Sequence, residues 1–238
     1  MSDARVADAL RKLARLAVHD LRNPLSAVIT NLDFARGTLA RNRTAPMTAE
    51  AQEALADSAV ACDALRLVLA NLELFARDPE QRFSALKLAL EPVCREVVAA
   101  CSSRAQQLGT RLAFEGAPRE LFVRTDRALF ALALENLIAN AIQHAPNGSV
   151  VTIAVVVHDG SASVIVRDHG GAIAPELREH AVGVEGQLRG ARSVGTRYGR
   201  GAGLHTASAA AACLGIELVL GGEGEQSEIA LALPLEPS

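Results

Sequence analysis

Four short segments of this 238-residue chain hold residue types that can do chemistry together. The first is His19-Asp20-Leu21-Arg22-Asn23-Pro24-Leu25. A neutral imidazole is a nucleophile near pH 7. A carboxylate at the next position can accept its Nδ1 proton and leave Nε2 to attack. Asn23, one helical turn on, can orient phosphate or water. The second segment runs from Glu135 to His144. Its Asn136, Asn140 and His144 stand four apart and share one helix face, while Leu137, Ile138, Ala141 and Ile142 turn inward. Neutral amide oxygens suit a Mg²⁺ that keeps most of its waters and touches ligand phosphates. The third, Asp168-His169-Gly170-Gly171-Ala172-Ile173, follows a strand. There a carboxylate can accept a hydrogen bond from an amino group, and glycines let the backbone close around a flat ring. The fourth, Gly199-Arg200-Gly201-Ala202-Gly203-Leu204, leads into a helix, where free backbone N–H groups and the helix dipole favour phosphate.

Each segment alone has an ordinary alternative. His19 could be an indifferent surface histidine, Pro24 a simple kink, the two asparagines a solvated helix face, and Asp168 to Gly170 a common turn. A dinucleotide-binding fold is disfavoured, because no strand directly precedes the Gly199 loop in a βαβ unit.

Two kinds of element must position these segments. Up to about residue 77 the pattern is helical. Val6, Leu10, Leu13, Ala17, Leu21, Leu25, Val28, Leu32, Ala35 and Leu39 form one apolar seam. At about 100° per residue, His19 lies opposite its centre. A second seam runs Ala51, Leu55, Ser58, Cys62, Leu65, Leu69, Leu72 and Ala76, and Arg41 to Thr48 makes the turn between. One hairpin covers only part of such seams, so a dimeric four-helix bundle through residues 5–77 is expected. Asp78-Pro79-Glu80 then breaks the helix, which predicts domains at 1–78 and 79–238. Beyond it come strands at 85–88, 111–114, 121–124, 150–157, 163–166, 216–220 and 228–233, and helices at 91–107, 126–145 and 202–214. The fold class is α + α/β: a helical hairpin followed by a two-layer α/β sandwich.

Composition narrows the partners. Half of the residues are hydrophobic, enough for a real core. A net charge of −3, no basic stripe and 3% aromatics predict no nucleic-acid binding. Cys62, Cys94, Cys101 and Cys213 are scattered and read as small buried residues in a reducing compartment. With no membrane-spanning run and no leader in view, the expected location is cytoplasmic.

The His19 segment resembles the H-box of bacterial sensor histidine kinases, His-Glu/Asp-x-x-Thr/Asn-Pro-Leu. The later segments follow it in that family's order, as an N-box, an Asp-containing glycine box, a glycine-rich lid over about 174–200 and a second glycine box. Together they resemble the Bergerat ATP-binding fold, shared with gyrase-type ATPases and a class of heat-shock chaperones. The resemblance covers about residues 5 to 234. It implies a phosphate-accepting His19, an assisting Asp20 and an Asn23 that supports phosphatase activity toward a response regulator. It also implies ATP and Mg²⁺ as ligands. Asn140 would hold the metal, with Asn136 and Gln143 near the phosphates. His144 would stand beside the adenine and Asp168 would read it. Gly170, Ala172, Gly199, Gly201, Gly203 and Leu204 would shape the pocket and lid. The ATPases carry a glutamate at the position of Asn136, so transfer to protein fits better than hydrolysis.

The sequence departs from the family at Ala172, usually a second glycine, and in 180–190, where the expected phenylalanine is missing. These departures favour an alternative: a dimeric phosphotransfer adaptor with a degenerate second domain. A Bergerat-type ATPase or an anti-sigma-type serine kinase is a further option, opposed by the H-box and by Asn136. The expected partners are a second copy of the chain and a response-regulator receiver domain. No sensor region precedes residue 5, so the signal is expected from a partner such as a separate sensor protein, from expression level, or from nothing at all.

Overall fold

The computed structural model describes residues 3–41, 48–76, 83–117, 120–158, 160–182 and 203–236. Two long helices come first, α1 (Asp3–Arg41) and α2 (Ala49–Ala76). They pack against each other. α1 is unbroken through Pro24, whose ring is buried. Pro24 supplies no N–H to the Asp20 carbonyl, so the helix is weakened in the turn beside His19. The Arg41 to Thr48 turn and the Asp78-Pro79-Glu80 break lie largely or wholly outside the described residues.

The buried face of α2 differs from the expected seam. Leu55, Cys62, Leu69 and Ala76 are exposed, whereas Ala51, Ala54, Ser58, Ala61, Ala64, Leu67, Asn71 and Leu74 are buried. Apolar residues occur all round this helix, so their spacing does not fix which face turns in. Small side chains decide it in the first half, where Ala51 and Ala54 cluster with Ala35 of α1. In the second half the buried face rotates toward the rest of the chain, and Leu74 joins the main core. On α1, Val18, Leu25, Ile29, Leu32 and Leu39 stay exposed along one stripe.

The remainder is a layer of helices on a seven-stranded sheet. The strands are β1 (Leu86–Ala89), β2 (Arg111–Glu115), β3 (Phe122–Thr125), β4 (Val150–His158), β5 (Ser161–Asp168), β6 (Glu217–Glu223) and β7 (Gln226–Glu236). The helices are α3 (Leu90–Gln107), α4 (Arg127–His144), the short α5 (Arg178–Ala181) and α6 (Gly203–Leu214). Strand order is β1-β3-β7-β5-β4-β2, with β6 also on β7. β2 and β4 run parallel; the other pairings are antiparallel. Every expected strand and long helix is present with ends moved by a few residues. The 3₁₀ turn Pro175–Leu177 and α5, inside the expected lid, were not anticipated.

Register builds the core. Ile153, Val166 and Ile229 stand in one cross-strand row, and Val155, Val164 and Leu231 in the next. All six are buried, on alternate positions of their strands. Onto them α4 lays Phe130, Leu134, Leu137, Ile138 and Ile142, each with almost no solvent exposure. Burial of this order stabilises by about 1.5–3 kcal/mol per large side chain. Asp126 sets where α4 begins: its Oδ1 accepts the Leu129 N–H at 3.0 Å, and its Oδ2 accepts the Ser84 N–H at 3.1 Å. Asp126→Ala removes both acceptors and should lower unfolding free energy by about 1–2 kcal/mol in urea titrations.

Candidate functional site

The residues singled out on α4 diverge in exposure as the helix runs. Asn136 is buried (1% exposed), Asn140 and Gln143 are half-buried, and His144 is exposed. Leu137, Ile138, Ala141 and Ile142 face the core as expected. This grading arises because the sheet and α6 cover the middle of α4 while its C-terminal turn emerges at the end of β5.

At that end the Asp168 turn presses on α4. A Cβ on Gly170 would lie 2.6 Å from the His144 carbonyl carbon and closer still to its oxygen, so only glycine fits. Asp168 ends β5 on the inward side, in register with Ser227 of β7, and is buried. Its Oδ1 accepts the Gly170 N–H at 2.7 Å. Burial pushes the carboxyl above its ordinary range, opposed by the Gly170 N–H, the Ser227 hydroxyl and the nearby His144 and His169. The left-handed residue of the turn is Gly171, with φ of 91°. Ala172 follows, and its N–H reaches the Gly224 carbonyl at 3.0 Å. The alanine at the expected second glycine position thus makes an ordinary backbone hydrogen bond to the β6–β7 turn.

Gly203 opens α6 beside Asn136; a Cβ there would stand 3.4 Å from Asn136 Oδ1, in tight contact. Leu204 is buried in the core. His144, Asp168 and Gly170 are therefore brought together at the C-terminal end of α4, whereas Asn136 and Gly203 meet at its middle. Gly199 and Gly201, with residues 183–200 of the expected lid, lie outside the described residues. In α1, Asp20 is buried and Asn23 half-buried, while the His19 side chain is outside the described set.

These residues suit a nucleotide. A buried carboxylate beside a glycine turn is an acceptor for an exocyclic amino group, and Asn140 offers an amide oxygen at a partly open position. Among the described residues no cluster of His, Cys, Asp and Glu could cage a metal. A hard cation here fits only as one carried largely by phosphates and water, with Asn140 as a protein ligand.

Four further residues escaped sequence reasoning. Asn71 and Asn136 exchange side-chain hydrogen bonds, Asn71 Nδ2 to Asn136 Oδ1 at 2.9 Å and Asn136 Nδ2 to Asn71 Oδ1 at 2.8 Å. Arg66 pairs with Glu135, and Phe75 stacks on His205 with ring centroids 5.3 Å apart. The available signal was Asn71 itself, a polar residue between Leu67 and Leu74 at helical spacing.

Residues 125–237 match a family model described as histidine kinase-, DNA gyrase B- and HSP90-like ATPase. The chain is 29% identical over 163 residues to sensor protein IrlS of Burkholderia pseudomallei, covering 68% of this chain and 33% of that protein. It is 28% identical to histidine protein kinase DivJ of Caulobacter vibrioides, covering 98% of this chain and 38% of that protein. The chain thus spans little more than a third of the length of these relatives. Full-length ShkA in complex with AMPPNP superposes with a TM-score of 0.60 at 25% identity, over 96% of this chain and 46% of that one. Acinetobacter baumannii histidine kinase AdeS shares the fold, with a TM-score of 0.55 at 17% identity, over 92% and 98% of the two chains. No helix among the described residues is long and apolar enough to cross a membrane.

A raised folded-state pKa means that the ionised Asp168 costs stability. The stability is present below the ordinary carboxyl value of 3.8 and is lost as pH rises through the folded value. Asp168→Asn, uncharged throughout, should therefore melt higher than the unsubstituted protein at pH 7.5. That advantage should shrink as pH falls toward 4 in thermal scans; a pH-independent difference would contradict it.

Proposed function

Since residues 125–237 belong to the family of histidine kinase-, DNA gyrase B- and HSP90-like ATPases, we propose that this chain is the core of an ATP-dependent protein histidine kinase. Residues 1–78 are its dimerisation and phosphotransfer hairpin and 79–238 its ATP-binding domain. The observation that carries this is the buried Asp168 carboxylate, set by a glycine turn at the end of a helix bearing Asn136 and Asn140. The relatives named sensor protein IrlS and histidine protein kinase DivJ support it, and they do not favour the phosphotransfer adaptor.

ATP is the substrate. Asp168 accepts from the adenine amino group, with His144 at the ring's edge. Gly170 and Ala172 wall the pocket on the sheet side, and Gly203 and Leu204 wall it at the start of α6; Gly199 and Gly201 are further nucleotide-binding glycines. Asn140 holds Mg²⁺, and Asn136 and Gln143 lie toward the phosphates. The metal supplies neutralisation of phosphate charge, the main requirement of phosphoryl transfer. His19 Nε2 attacks the γ-phosphorus as the bond to the β-phosphate oxygen breaks and ADP leaves; Asp20 takes the Nδ1 proton. The phosphoryl group then passes from His19 to an aspartate of a response-regulator receiver domain. Asn23 orients water when the same surface removes phosphate from that regulator. A second copy of the chain covers the exposed stripe of Val18, Leu25, Ile29, Leu32 and Leu39, completing a four-helix bundle.

Purified chain incubated with γ-labelled ATP and Mg²⁺ should acquire acid-labile, alkali-stable label. His19→Ala and Asn140→Ala should each reduce it at least a hundredfold. Label persisting in His19→Ala would refute the assignment.

A further inference from the structure

The side chain of Asn136 has almost no hydrogen-bonding capacity left for a ligand. Its Nδ2 donates to Asn71 Oδ1 at 2.8 Å and to the Leu132 carbonyl at 2.9 Å, which uses both N–H groups. Its Oδ1 accepts from Asn71 Nδ2 at 2.9 Å. Asn71 is itself buried at 5% exposure, so the pair is sealed between α2 and α4. Two further contacts join α2 to α4 and α6. Arg66 pairs with Glu135, the residue before Asn136, one turn toward the N-terminus of α2. Phe75, one turn toward its C-terminus, stacks on His205 of α6, with the ring planes 14° apart. His205 Nδ1 in turn lies 2.8 Å from the Val182 carbonyl, at the edge of the 183–202 segment.

We propose that the C-terminal half of α2 is an inhibitory latch, and that its docking through Asn71 competes with Mg²⁺–ATP for Asn136. The proposal rests on the assignment of Asn136 to the phosphate side of the pocket. In the docked state the amide answers Asn71; in the ligand-bound state it answers the phosphates and their metal, and α2 must release α4. The exposed Arg66 pair adds little holding force. The sealed amide pair and the Phe75 stack hold the latch, because separating them exposes apolar surface and leaves buried amides to find new partners. By linkage, whatever loosens α2 raises nucleotide affinity, and nucleotide loosens α2. A signal that rotates or shifts α2 therefore reaches the pocket without touching it.

The chain's own cysteines allow the test. Cys62 on α2 and Cys213 on α6 are exposed. Cys94 and Cys101 are buried, with thiols pushed up to about 12, and stay unlabelled. Spin labels on Cys62 and Cys213 read the distance between α2 and α6, and calorimetry reads binding of the ATP analogue AMPPNP with Mg²⁺. Asn71→Ala should tighten AMPPNP binding by about fivefold and lengthen or broaden the spin–spin distance without nucleotide. AMPPNP should move the unsubstituted protein the same way. Phe75→Leu, a milder change, should act in the same direction.

A distance that stays fixed in Asn71→Ala and Phe75→Leu, or an affinity that does not rise, overturns the latch. A lengthened distance with no AMPPNP binding in any variant refutes competition for nucleotide and the kinase assignment together. Binding weakened by Asn140→Ala, with no effect of Asn71→Ala on distance or affinity, keeps the kinase and removes the latch.

Discussion

The arrangement depends on one steric constraint, the contact of Gly170 with the carbonyl of His144. It clamps the end of β5 to the end of α4, and it admits no side chain. Because β5 is paired on both sides, by β4 and β7, its end is a fixed point of the sheet. Because α4 supplies the largest buried side chains, its end is a fixed point of the helix layer. The clamp joins the two. It places a carboxylate from the sheet beside polar side chains from the helix, in a position where neither element alone could form a pocket.

The cost of that placement falls on Asp168. A buried carboxylate is retained against desolvation by a backbone N–H, a serine hydroxyl and two nearby imidazoles, and its pKa still rises. Such a group has little structural value, since Ser227 and the turn could close without it. Its value is as an acceptor for something that arrives from outside. The middle of α4 has the opposite character: Asn136 is answered almost entirely by protein, with Asn71 of α2 as its main partner. One helix thus carries an acceptor site that is prepared at one end and a polar group that is withheld at its middle.

Much of this was legible in the sequence, for identifiable reasons. The strands and long helices were visible because hydrophobic spacing in 111–236 matches burial on one face, as in Ile153, Val155, Val164 and Val166. Asp168 and Gly170 were visible because an acid and a glycine two apart after a strand form a recognisable turn. The phase of α2 was not legible, since its apolar residues surround the helix and packing is settled by alanines rather than leucines. Asn71, Phe75 and His205 were not legible as a set, because a contact between residues 65 or more apart has no local pattern. The place of Ala172 beside the β6–β7 turn became clear only from its backbone bond to Gly224.

The central claim is that the Asp168 carboxylate reads the amino group of an adenine. Titration of the chain with ATP and with inosine triphosphate, which carries a carbonyl in place of that amino group, tests it most directly. Inosine triphosphate would set an acceptor against the carboxylate and leave a buried charge unanswered, so it should bind at least tenfold more weakly. Equal affinity for the two nucleotides would contradict the account.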